Sequence, residues 1–136
     1  MDRFLAYAQS HRKAIVALIR QLVECESPSD NAPAVNRFVE LVSDTVAPFA
    51  RVRTVAARRY GRHLLCEFAL PGRRKSGQVL ALGHSDTVWE TGTLAGMPFR
   101  ESQGRLWGPG VLDMKAGVAF FIFAMRALRD LDVPVS

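Results

Sequence analysis

The 136-residue sequence predicts a layered α/β domain with a mostly parallel or mixed central sheet flanked by helices. Three observations support this fold class: helical spacing of apolar residues near the start, several strand-like segments between residues 51 and 83, and an apolar segment that begins at Lys115. The length fits one ordinary domain. A hydrophobic content of 49% is typical of a folded chain and argues against disorder.

The first part of the chain predicts two helices. From Asp2 to Glu24 the apolar residues recur at helical spacing, at Leu5, Ala8, Ile15, Leu18, Ile19 and Leu22. The segment SPSDNAP (27–33) then breaks the pattern, and Ser29 or Asp30 is predicted to cap a second helix. That helix extends to about Val46, and Pro48 closes it.

Three strands follow in the prediction. RVRTVAA (51–57) and HLLCEFAL (63–70) are consecutive strands, and PGRRKSG (71–77) is the turn after them. QVLALG (78–83) is apolar on both faces, as a central strand would be. PFRESQGRLWG (98–108) predicts a hairpin around Gln103 and Gly104. An apolar helix runs from Lys115 to Arg129, and the final VPVS indicates the start of another strand.

Composition narrows the function classes. The net charge of +5 raises the possibility of a nucleic-acid partner, but the basic residues cluster only at Arg51–Arg62 and Arg73–Lys75. Neither cluster has the interleaved aromatic residues of a single-strand groove, so we expect no nucleic-acid partner. The apolar run Val118–Met125 is too short to cross a bilayer, so no membrane partner is expected.

Cysteine usage and the N-terminus predict the compartment. Cys25 and Cys66 lie among apolar residues and form no disulfide framework, which indicates reduced core cysteines. A cysteine-nucleophile enzyme is the weakest alternative, because no histidine is convincingly placed to pair with either thiol. No signal peptide is evident at the N-terminus, so a cytoplasmic location is expected.

His84 and Asp86 are the first candidate site residues. They follow the predicted strand QVLALG, at the end where open α/β sheets bind ligands. Two residues apart on an extended backbone, their side chains point the same way. This arrangement suits an imidazole that binds a metal while the carboxylate positions its ring. Taken alone, a histidine at a strand end is more often a hydrogen-bonded surface residue.

Asp113 is the second candidate. It ends the glycine-rich and proline-containing loop WGPGVLDMKAG (107–117), whose composition predicts an unusual backbone path. One interpretation is an N-cap for the helix that follows. The other is a carboxylate that bridges two metal ions, one oxygen to each.

The order GHSDTV (83–88) and then GPGVLDMKAG (108–117), with Asp113 29 positions after His84, resembles a known family. It is the family of two-zinc peptidases and deacylases that includes carboxypeptidase G, aminoacylase, acetylornithine deacetylase and succinyl-diaminopimelate desuccinylase. The similarity begins at LVECESPS (22–29), continues through HSDTVWETGTLAGMPF (84–99) and extends to the helix after DMKAG.

The resemblance implies a role for each matching residue. His84 would bind one zinc ion, Asp113 would bridge both ions, and Asp86 would orient and polarise His84. Gly108, Gly110 and Gly117 would shape the loop and the approach of the helix. Lys115 has no ligand role in the family and is predicted to be a first-turn surface lysine. In the family mechanism the metal ions activate a water molecule, a glutamate takes its proton, and the hydroxide attacks an amide carbonyl.

The resemblance also implies what these 136 residues lack. No adjacent Glu-Glu pair is present, and His11 and His63 match no family ligand. We therefore expect residues 1–136 to be the N-terminal portion of a zinc-peptidase-like catalytic domain that is truncated, with the smaller dimerisation or lid domain absent. Two ligand residues are too few for tight zinc binding.

The functional prediction is a metal-dependent hydrolase of amide bonds, of metallocarboxypeptidase or N-acyl-amino-acid deacylase type, inactive as this chain alone. The alternative is a non-catalytic binding or interaction module that keeps the hydrolase fold. The implied cofactor is zinc, and cobalt or manganese also suits a nitrogen and oxygen ligand set. The implied substrate is a small peptide or N-acyl amino acid, with folate-like substrates also open. Full-length relatives are often homodimers.

Overall fold

The computed structural model describes residues 2–73 and 77–135. The predicted first helix is divided in two, α1 (Arg3–Ser10) and α2 (Arg12–Glu24), with the break at His11. The second predicted helix is α3 (Ala32–Val46). Its N-cap is Asn31, whose side-chain oxygen accepts a hydrogen bond from the Ala34 N–H, so the prediction of Ser29 or Asp30 as the cap is wrong.

Strands β1 (Ala50–Ala57) and β2 (Gly61–Phe68) form the predicted antiparallel pair, with Ala50 opposite Phe68 and Ala57 opposite Gly61. The alternation of side chains gives this hairpin two different faces. One face packs on the core through Ala50, Val52, Leu64, Cys66 and Phe68. The other face is exposed to solvent, and the side chain of Arg51 on that face is 87% exposed.

The predicted third strand is wrong. Residues 78–83 form no strand, and within the described residues the two sheets are both two-stranded and antiparallel. Val79 is 95% exposed and Leu82 is 85% exposed. An apolar segment becomes a central strand only when neighbours satisfy its backbone on both sides, and no described strand pairs with this one. The chain is therefore mixed α and β, without the predicted central sheet.

The second half contains the short helix α4 (Thr93–Gly96), strands β3 (Arg100–Ser102) and β4 (Arg105–Trp107), and helix α5 (Ala116–Asp130). Strands β3 and β4 form the predicted hairpin, with positive φ at Gln103 and Gly104. Residues 133–135 form no strand, contrary to the prediction from VPVS. The predicted turn PGRRKSG lies partly outside the described residues.

The core lies where helices α2, α3 and α5 meet. Its buried side chains come from all three helices and include Ile19, Leu22, Val23, Phe38, Val46 and Ile122. Phe99, just before β3, joins the same cluster. In the described part of the chain, no helix is both long and apolar enough to cross a bilayer.

Candidate metal-binding site

The site is organised by the connection between α2 and α3, residues 25–31, which we call the α2–α3 connection. Thr87 pairs with it as a short parallel bridge. The Thr87 N–H donates to the Ser27 carbonyl at 2.8 Å, and the Ser29 N–H donates to the Thr87 carbonyl at 3.0 Å. This bridge fixes the backbone immediately after His84 and Asp86, although the segment before them is unpaired.

Asp86 is held from both sides. The Ser29 hydroxyl donates to Asp86 Oδ2 at 2.5 Å and also lies 3.1 Å from the Thr87 carbonyl oxygen. The other carboxylate oxygen, Oδ1, lies 3.3 Å from His84 Nδ1. The hydrogen bond from Ser29 is the largest cause that lowers the pKa of Asp86. Asp86 therefore stays ionised and faces the imidazole ring.

The His84 ring is positioned by contacts on both nitrogen atoms. Nδ1 lies 3.0 Å from the Asp86 carbonyl oxygen, and Nε2 lies 2.8 Å from Asp113 Oδ1. The hydrogen bond to Asp113 is the main cause that raises the pKa of His84 above its ordinary value. The three residues predicted from the sequence thus lie together, with Nε2 of the imidazole directed at the Asp113 carboxylate.

Asp113 lies on the loop of residues 108–115. Within this loop Val111–Lys115 forms one wide turn, and the Asp113–Met114 peptide bond is cis. The Asp113 side chain is 84% exposed and does not cap α5, so the N-cap interpretation is not what the structure has. The thioether of Met114 receives the His84 N–H at 3.3 Å, which joins this loop to the segment that carries His84.

Gly110 allows the two halves of the site to approach each other. Its φ is +70°, and a Cβ there would lie 2.5 Å from Thr87 Cγ2. Gly108 is also tightly enclosed, since a Cβ would lie 2.8 Å from Val23 Cγ1. Gly117 differs, because a Cβ there would make only ordinary contacts with Met114. The predicted shaping role therefore has a steric basis at the first two glycines and none at the third.

Lys115 is buried, so the prediction of a surface lysine is wrong. It is 3% exposed, its ammonium donates to the Cys25 carbonyl at 2.7 Å, and it lies 4.8 Å from the ring centroid of Phe38. Burial lowers the pKa of Lys115 to about 8. The side chain turns inward because the wide turn before α5 redirects it towards the end of α2. Sequence periodicity alone does not reveal such a turn.

Glu26 was not identified from the sequence. Its two carboxylate oxygens accept hydrogen bonds from the Gly92 N–H at 2.8 Å and the Leu94 N–H at 3.0 Å. These backbone donors, Gly92 first, lower the pKa of Glu26. No sequence signal identifies it, because its contact Gly92 in TGTLAG (91–96) follows 66 residues later in the chain. Glu26 therefore fastens α4 to the α2–α3 connection.

The donor set fits a metal ion in part. His84 offers an imidazole nitrogen and Asp113 offers a carboxylate, the types of ligand that zinc accepts. The described ranges 2–73 and 77–135 contain no cluster of three or more histidine, cysteine, aspartate or glutamate residues arranged to hold a metal ion. Within those ranges, the site supplies two candidate ligands, His84 and Asp113.

Comparison with known proteins shows which proteins this chain is similar to. Residues 80–135 match the model of the family described as Peptidase family M20/M25/M40. The chain is also 26% identical over 132 residues to Carboxypeptidase G2 of Pseudomonas sp. (strain RS-16), an alignment that covers 93% of this chain and 30% of the relative. The chain thus spans about 30% of the length of that relative.

Proposed function

We propose that this chain belongs to the M20/M25/M40 peptidase family, which its matches support. In this proposal it provides part of the metal-binding site of a hydrolase that cleaves amide bonds in small peptides or N-acyl amino acids. The observation that carries the proposal is the convergence of His84 Nε2 and Asp113 Oδ1, which lie 2.8 Å apart although the two residues are 29 positions apart in the sequence. The family match covers both motifs.

Each residue has a distinct part in the proposal. His84 binds the metal through Nε2, and Asp113 binds it through its carboxylate. Asp86 faces Nδ1 and keeps the ring oriented, as carboxylates near metal-bound histidines do. A metal ion held by these residues, zinc by family resemblance, would supply Lewis-acid polarisation of the amide carbonyl and a water molecule of lowered pKa. The candidate ligands among the described residues number two, so the affinity of the chain itself for zinc is expected to be weak.

Metal titration of the chain tests the proposal. Cobalt(II) is the probe, because its visible absorption reports coordination, and zinc is then added as a competitor. We expect weak binding that is lost in His84→Ala and in Asp113→Ala. The matched control is His11→Ala, which removes a histidine from the break between α1 and α2. Equal binding by wild type and the first two variants would contradict the proposal.

A chimera tests hydrolysis directly. Residues 83–117 of this chain replace the aligned segment of Carboxypeptidase G2, and carboxypeptidase activity is measured with and without His84→Ala in the inserted segment. We expect activity that depends on His84. A folded chimera without activity would favour the alternative, a binding module that keeps the fold without the chemistry. An active chimera that is unaffected by the substitution would contradict the role of His84. Stoichiometric zinc retained after dialysis, together with hydrolysis by this chain alone, would overturn the expectation that the chain alone is inactive.

A further inference from the structure

Ser29 lies at the point where the α2–α3 connection touches the site. It is separated from Asp86 by 57 residues in the sequence, and its hydroxyl donates to Asp86 Oδ2. Its backbone N–H donates to Thr87, the next residue. One residue therefore fixes both the backbone after Asp86 and the carboxylate itself.

The geometry gives the hydroxyl a specific consequence for His84. A carboxylate has two oxygens in one plane, so a hydrogen bond to Oδ2 restricts the rotation of the whole group. The remaining oxygen, Oδ1, lies 3.3 Å from His84 Nδ1. Without the Ser29 hydroxyl, the half-buried Asp86 carboxylate loses its shortest hydrogen bond, and Oδ1 can move away from the ring while the Asp86 carbonyl oxygen remains 3.0 Å from Nδ1. The Thr87 bridge alone does not prevent this, because it involves backbone atoms.

We propose that Ser29 is a positioning residue of the metal-binding site, which acts on His84 through the Asp86 carboxylate. This inference rests on the proposed function for its relevance to metal binding. The effect on His84 itself is a property of the metal-free chain and can be measured without any metal.

The metal-free experiment follows the His84 ring by two-dimensional ¹H–¹³C NMR at one fixed pH. His11 and His63 give internal reference signals in the same spectrum. We expect Ser29→Ala to shift the His84 ring signals and to leave the other two in place. Ser29→Thr retains the hydroxyl and should restore the wild-type positions. The matched control is Thr45→Val, which removes a hydroxyl that donates to the Leu41 carbonyl at 2.7 Å within α3.

A double variant separates positioning from general disturbance. If Ser29 acts through the carboxylate, Ser29→Ala should cause little further shift of the His84 signals in an Asp86→Ala background, because no side-chain acceptor remains for the Ser29 hydroxyl. Full additivity of the two substitutions would overturn the proposal. So would unchanged His84 signals in Ser29→Ala, or equal shifts of all three histidines.

The cobalt(II) titration then distinguishes this inference from the proposed function. We expect Ser29→Ala to weaken cobalt(II) binding about 10-fold, since partners of metal-bound histidines carry effects of 10- to 100-fold. Binding that requires His84 but is unchanged in Ser29→Ala overturns the role of Ser29 alone. Binding that is independent of His84 overturns the proposed function, while the NMR result still decides whether Ser29 positions the ring.

Discussion

Replacement of Lys115 by methionine tests whether a buried charge lies beneath the site. Methionine keeps most of the apolar stem and removes the ammonium group. In the wild type this group is enclosed by the end of α2, with the Cys25 carbonyl 2.7 Å away and the Phe38 ring centroid at 4.8 Å. The exposure of the residue is 3%, so water contributes little to the solvation of its charge.

The magnitude follows from the pKa of Lys115. Burial lowers it from 10.5 to about 8, a difference of about 2.5. At about 1.4 kcal/mol for each pH unit, the folded state disfavours the ammonium by roughly 3 kcal/mol. Below about pH 8 both the folded and unfolded states are protonated, and the cost is fully present. Between about pH 8 and 10.5 the unfolded state binds more protons, so this residue makes stability rise with pH.

The assay is urea denaturation of wild type and Lys115→Met at about pH 7 and about pH 10. We expect the free energy of unfolding of the wild type, relative to the variant, to increase by roughly 2–3 kcal/mol between those pH values. Tyr7 and Cys66 have raised pKa values and titrate at alkaline pH, but both proteins contain them. The Cys25 thiol also has a raised pKa and interacts with the Lys115 charge, so both proteins carry Cys25→Ala. Comparing the two proteins then isolates Lys115.

Lys13→Met is the matched control, because it removes an exposed lysine from α2. Its stability relative to wild type should change much less between the two pH values. A difference between wild type and Lys115→Met that is constant with pH would refute the buried ammonium. An equal change with pH for Lys115→Met and Lys13→Met, each relative to wild type, would also refute the buried ammonium.

Two further substitutions test other contacts. Gly110→Ala should destabilise the fold by about 3 kcal/mol in urea denaturation, because of the positive φ and the clash with Thr87. The control is Gly104→Ala, where φ is +71° and a Cβ would meet open space. Equal losses of stability in the two variants would show that the clash is absent. Tyr7→Phe removes the 2.7 Å hydrogen bond to Asp130, which lowers the pKa of that carboxyl, and should cost about 1 kcal/mol at neutral pH. Since the lowered pKa stabilises the fold only while Asp130 is ionised, this cost should fade below about pH 4, and a cost unchanged in acid would contradict it.

The local structure was largely predictable from the sequence. Helical spacing identified the first helical region, α3 and α5, and the alternation of RVRTVAA identified β1 with its wet face. The break at His11 was missed because the apolar spacing continues across it. The cap of α3 was missed because Ser29, Asp30 and Asn31 are all good caps, and only the tertiary contact of Ser29 with Asp86 separates them.

The tertiary environment was less predictable. QVLALG has the composition of a central strand, but composition does not provide the neighbouring strands that satisfy its backbone. The convergence of His84 with Asp113 followed from a resemblance of motifs, because neither motif alone distinguished a metal ligand from a structural residue. The burial of Lys115 and the contacts of Glu26 could not be predicted, because they depend on which segments pack on the α2–α3 connection. Sequence periodicity does not contain that information.

The α2–α3 connection has a consequence for how the site assembles. Its contacts with Asp86 and Lys115 close loops of 57 and 90 residues, so the site forms only after distant parts of the chain have met. The β1–β2 hairpin lies inside both loops and supplies none of the site residues. Because each doubling of loop length costs only about 0.6 kcal/mol, the hairpin turn at residues 58–60 can be lengthened with little effect on the site. This turn is therefore a suitable position to attach a reporter group while folding of the site is followed.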